Sequence, residues 1–187
     1  MLDFIAHWHR EHVNFAKLLY LLEEQLDFFR AANHPDYERM TDIVYYMTSY
    51  PDRFHHPRED VAFQIVAAKD SRAREYVTDL IQQHQVIAES GQQLLTRLAG
   101  VVGGAVMLRD DVERPGRIYI DHMRQHMSQE EDKIFPLAAK LLGDEDWAAV
   151  EAAIPAQEDP LFGPAVEERY KALHRQIAVD ADCGCVT

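Results

Sequence analysis

The sequence predicts an all-α fold: an antiparallel up-down-up-down four-helix bundle with additional short helices at its C-terminal end. Three observations predict it. Four long segments repeat apolar residues at three- and four-residue steps, the period of a helix with one buried face. Turn signals separate those segments. No stretch alternates apolar and polar residues as a half-buried strand would.

The first helix is expected over residues 3 to about 31, where Phe4, Trp8, His12, Phe15, Leu19, Leu22, Leu26 and Phe29 share a face. Asn33-His34-Pro35-Asp36 ends it. The second runs over about 37–68, with Met40, Val44, Met47, Pro51, His55, Ala62 and Val66 near one side. Pro51 and Pro57 fall inside that pattern and should kink it, because each lacks a backbone donor and frees a carbonyl. Asp70-Ser71 is a cap signal for the third helix, about 72–99, with the stripe Val77, Leu80, His84, Ile87, Gly91, Leu94 and Leu98.

Glycines at 100, 103 and 104 break the chain, and a polar linker follows around Asp110-Asp111. Pro115 suits the first turn of the fourth helix, which continues to Leu142 and stops at Gly143. Its inner face carries Tyr119, His122, His126, Glu130, Ile134 and Leu137, with a kink expected at Pro136. Shorter helices are expected over 144–154 and 164–179, with Trp147 docking the first of them on the bundle. One domain over 1–179 follows, with core 1–142 and C-terminal helices 144–179. Residues 180–187 form a mobile tail. At roughly 1.5 Å per residue each core helix is about 40 Å long, and bundles of this kind hold metals between facing helices.

The 187 residues suffice for one sizeable core. The net charge of -13 argues against nucleic acid or an anionic membrane as partner, since both select Lys/Arg clusters. No secretory signal or spanning segment is visible. Cysteine is confined to Cys183 and Cys185, which implies a reducing cytoplasm. A thiol pair could bind soft metal, but a mobile terminus supplies no fixed geometry.

The chemistry is carried by histidines on apolar stripes. His12 and His84 stand alone on the first and third helices; His55 and His126 each have a glutamate, Glu59 and Glu130, four residues on. Residues four apart lie one above the other on a helix, so each pair can reach one metal region. Buried imidazoles and carboxylates are costly unless a cation neutralises them. Imidazole with carboxylate suits iron, zinc, copper or manganese, whereas calcium and magnesium want oxygen alone. Four histidines and two carboxylates exceed the needs of one tetrahedral ion. A two-metal site, bridged by the glutamates, is the better count.

At this point the chain resembles the hemerythrin-like, His-His-Glu cation-binding family, over about residues 2–142. The matching text is Glu11-His12 with Leu18-Leu19, then Tyr50-Pro-Asp-Arg-Phe-His-His-Pro-Arg-Glu-Asp60, Gln83-His84-Gln85, and His126-Met-Ser-Gln-Glu-Glu-Asp-Lys-Ile-Phe-Pro136. The resemblance implies two iron ions with an oxo or hydroxo bridge; zinc or manganese would accept the same donors. It implies that His12 and His55 serve one iron, His84 and His126 the other, and that Glu59 and Glu130 bridge them. It further implies a small diatomic ligand or peroxide as partner. Three functions follow: a module that binds or senses O2, NO or peroxide, a redox enzyme acting on peroxide, NO or ferrous iron, or an iron-responsive interaction module.

Two departures stand out. Oxygen-carrying hemerythrins place a second histidine one turn after that on the third helix; here it is Ala88. They also use a carboxylate five residues after the fourth-helix histidine, here Glu131, which points away from the inner stripe. The four-residue spacing to Glu130 resembles the bacterial branch. In an antiparallel pair Ala88 and His122 sit at one height, so His122 replaces the missing ligand or hydrogen-bonds whatever occupies its place. His56 projects about 100° from His55 and is expected at the rim. His7, His9, His34 and His174 read as structural or exposed. Tyr50 and Tyr119 read as core aromatics, and Tyr119 could also line a small-molecule pocket.

Overall fold

The computed structural model describes residues 4–30 and 34–182, and among them there is no strand. Helix α1 spans Phe4–Arg30. Helix α2, Tyr37–Met47, starts where the Asp36 side chain accepts from Arg39 N at 2.9 Å, satisfying one of the free first-turn donors. Gln25 Oε1 in turn accepts from Asp36 N at 2.8 Å and ties the turn to α1.

The kink expected in the second helix is a π turn, Pro51–His55, which runs straight into α3, His56–Lys69. There the His56 amide reaches back five residues to the Pro51 carbonyl. The extra residue lies directly before Pro57, so the proline ring is accommodated without ending the helix. The fourth helix repeats this device. Helix α5, Asp110–Gln129, passes through a π turn, Glu130–Ile134, into α6, Phe135–Leu141, and Pro136 follows the turn by two residues.

Between them lies α4, Arg74–Val102, entered through Asp70, whose side chain accepts from Arg72 N, and a 3-10 turn, Ser71–Ala73. It ends at Gly103-Gly104, where Gly104 adopts φ +89°, a conformation glycine reaches without strain. Pro115 is not in a first turn as expected but inside α5. Asp110, Asp111 and Glu113 suit a helix N-terminus electrostatically, and Arg97 Nη1 donates to the Asp111 carbonyl that Pro115 leaves without its helical donor, at 3.3 Å.

The packing order is a ring: α1 against α2, α2 against α4, α4 against α5, and α5 against α1. Partner numbers run in opposite senses across each contact. His12 meets Glu130 and Glu131, while Glu23 meets Arg124 and Asp27 meets Arg117. Gly91 allows α2, α4 and α5 to approach closely: a Cβ there would lie 2.7 Å from Thr48 Cγ2 and 3.0 Å from Tyr119 Cε2.

Helix α7, Asp144–Ala153, covers α3. Trp147 stacks on Phe4 at 4.9 Å, and buried Arg58 donates to the Ile154 carbonyl at 2.8 Å. A 3-10 turn, Glu168–Tyr170, precedes α8, Lys171–Asp182, so the final helix begins later than residue 164 and runs past 179. Cys183 and Cys185 lie outside the described residues.

Two apolar cores result. One gathers Phe15, Leu22, Met40, Leu94 and Ile120; the other gathers Trp8, Phe63, Leu80, Phe135 and Val150. Between them, the inner faces carry imidazoles and carboxylates instead.

Candidate metal centre

The polar layer holds His12, His55, Glu59, His84, His126 and Glu130, all at most 5% exposed. Donor atoms from these residues cluster in two overlapping groups: His12, His55 and Glu59, and Glu59, His84, His126 and Glu130. His12 and His55 bring their Nε2 atoms within 3.1 Å of one another. His55 Nε2 lies 3.2 Å from Glu59 Oε1, and His126 Nε2 lies 3.2 Å from Glu130 Oε1. Metal bonds of roughly 2.1 Å place neighbouring donors about 3 Å apart, so these spacings fit donors that share an ion.

The two carboxylates divide their oxygens. Glu59 Oε1 and Glu130 Oε2 face His12 at 3.7 and 3.5 Å; Glu59 Oε2 and Glu130 Oε1 face His84 at 3.6 and 3.4 Å. All four oxygens are buried and lack a hydrogen-bond partner among the described residues, as do the Nε2 atoms of His84 and His126. Leaving one buried polar group unpartnered costs about 1–3 kcal/mol, more if charged. Six such atoms converging on one place are what a pair of cations would satisfy.

The outward nitrogens are partnered, and the pattern is cyclic. Glu11, the neighbour of His12 on α1, accepts from His55 Nδ1 at 2.8 Å. Asp60, the neighbour of Glu59 on α3, accepts from His84 Nδ1 at 2.7 Å. Gln83, the neighbour of His84 on α4, accepts from His126 Nδ1 at 3.0 Å. Glu131, the neighbour of Glu130, accepts from His12 Nδ1 at 3.0 Å and from His9 at 2.9 Å. Each helix thus steadies the imidazole of the next. With Nδ1 donating, every Nε2 lone pair points inward, as metal ligation requires.

This ring was not expected from the sequence. Glu131 does not point away from the site but reaches the back of His12, because the π turn starting at Glu130 changes the register of α5. A carboxylate or amide directly beside His12, Glu59, His84 and Glu130 in the sequence was the available signal.

His56 also departs from expectation. It is 4% exposed, not at the rim, and one of its nitrogens groups with His84 and His126. The π turn that ends at His55 departs from the α-helical step, and both rings enter the core. His122, expected to replace the missing third-helix ligand, stands outside these groups. It lines a groove of about 380 Å³ between α4 and α5 with Asp79, Gln83, Gln125 and Gln129. Its Nδ1 is buried without a hydrogen-bond partner among the described residues. Tyr50 donates to Glu11 at 2.8 Å, while the buried Tyr119 hydroxyl has no hydrogen-bond partner among the described residues.

Electrostatics follow the packing. Burial opposes the charge on His84, yet its hydrogen bond to Asp60 and the nearby Glu130 and Glu59 carboxylates push it up to about 9. Burial, and then the charges of His84, His55 and His126, hold His56 well below the usual imidazole range. Burial would raise Glu11, but the charge and hydrogen bond of His55, with His7 3.4 Å away, keep its carboxyl below the usual range. Burial raises Asp52 to about 6.

A family model of the hemerythrin HHE cation binding domain matches residues 3–138. The chain belongs to that family. No curated relative and no solved structure matches it. The matched span of this HHE domain takes in every residue of the polar layer, and α7 and α8 lie beyond it. No helix among the described residues is long and apolar enough to cross a membrane.

Proposed function

We propose that this HHE-domain protein holds two iron ions bridged by Glu59 and Glu130, His12 and His55 serving one and His84 and His126 the other. On this reading it is a cytoplasmic protein of one domain over 1–179, its core an antiparallel up-down-up-down bundle. Contacts whose residue numbers run in opposite senses support that topology. The iron pair binds or senses a small ligand: O2, NO or peroxide. One observation carries the reading, the division of each buried carboxylate between two sets of imidazoles. A single ion would need only one set.

When bound, an iron pair supplies reversible one-electron chemistry and an exchangeable ligand position. The chain contributes the rest. Nδ1 bonds lock the imidazoles in place, and Phe135 and Phe15 pack against His12 and His55 at 5.2 and 5.0 Å, keeping bulk water away. Purification without added metal followed by metal analysis tests the proposal. Near two irons per chain is expected, with near-ultraviolet absorption in the oxidised form. One zinc per chain with no uptake of iron would overturn it.

A second reading, turnover of peroxide or NO, is favoured by the groove between α4 and α5, whose lining residue Gln83 bonds to His126. Sustained turnover with peroxide would select it over binding alone.

A further inference from the structure

The geometry points to His56 as the third imidazole of the ion held by His84 and His126. This rests on the two-ion reading above and goes beyond it by making the two ions unequal.

Four observations carry it. The His56 ring stacks on His84 with centroids 4.3 Å apart and planes at 16°, and meets His126 edge-on at 5.8 Å. One nitrogen of each of the three lies within 4.8 Å of the others. His55 turns the other way, meeting His12 at 5.0 Å and Phe15 at 5.0 Å, so two successive residues divide between the two sides of the site. One turn earlier, Asp52 places Oδ1 3.2 Å from His56 Nδ1, an acidic group beside the ring.

The π turn makes this possible. It runs directly into α3, and both His55, at its end, and His56, the first residue of α3, are buried. The side of the centre facing α4 has only His84 from that helix, because Ala88 offers no donor. His56 fills the shortfall from α3. As a neutral ligand it adds a donor without adding buried charge. The His84–His126 ion then has three imidazoles and the His12–His55 ion two, with the same pair of carboxylates shared between them.

Unequal ions bind in unequal steps. Anaerobic ferrous titration of the metal-free full chain, followed by calorimetry, reads those steps directly. Wild type is expected to take two ions. His56→Ala is expected to weaken one step at least about tenfold, the scale on which supporting residues already matter, leaving the other unchanged. Added imidazole should restore it. His56→Gln, which preserves bulk, should show the same selective loss, and circular dichroism of both metal-free variants establishes that they fold. His122→Ala should change neither step. Two unaltered steps in folded His56→Ala, or equal weakening of both, would overturn the assignment, as would selective weakening in His122→Ala instead. Wild type that binds one ion or none would overturn the two-ion reading itself, and that outcome is visible before any variant is made.

Discussion

Glu59 and Glu130 are fully buried with no hydrogen-bond partner among the described residues, and a bound cation would satisfy them. Glu59→Ala or Glu130→Ala should each leave fewer than two metals per chain by elemental analysis. Glu131→Ala belongs to another class. It touches the outer nitrogen of His12 and not the inner one, so two metals should still bind, with an affinity reduced about 10- to 100-fold. Competition against a chromogenic chelator measures the difference. Undiminished affinity would mean that the Glu131–His12 bond contributes nothing to the centre.

At the scale of elements, two π turns decide which side chains enter the core. Each is followed by a proline, and each includes a residue of the polar layer: His55 ends the first, and Glu130 begins the second. The helices themselves must approach closely for donors from four of them to meet. At Gly91 that approach is close, with the side chains of Thr48, which caps α2, and Tyr119 on α5 within 3.0 Å of the place a Cβ would occupy. Gly91→Ala should therefore destabilise the fold by about 1–3 kcal/mol, the usual cost of overpacking. A lowered denaturation midpoint with an unchanged slope would show it. An unchanged midpoint would mean that Thr48 and Tyr119 yield freely.

For the whole molecule, protons and metal compete. In the metal-free protein His84 is pushed up to about 9 by Asp60 and Glu130 against the effect of burial. A raised imidazole stabilises the fold fully below its unfolded value of about 6.5 and loses that contribution as pH rises toward 9. Metal binding needs the same imidazole neutral, so metal affinity should rise over that range. The melting temperature of the metal-free protein should thus fall between about pH 6.5 and 9 while ferrous affinity climbs. Both trends are read by scanning calorimetry and by titration at several pH values. Parallel trends in the two would mean that His84 does not govern them.

Local rules made much of this molecule legible. Helical period marked the long helices to within a few residues, and the four-residue step marked His55 with Glu59 and His126 with Glu130, because both depend only on neighbours along one helix. The six donors of the polar layer could be named from such steps. Tertiary structure alone decided what lies between helices. Glu11, Asp60, Gln83 and Glu131 each support an imidazole on a different helix; their places beside polar-layer residues are visible in the sequence, but which imidazole each meets is not. His56 reads as a rim residue on an ideal α-helix and enters the core because a π turn alters where that helix faces. His122 has the right height for a ligand, yet its helix turns it to the groove. Spacing along a chain specifies which residues share a face; only packing specifies which way that face looks.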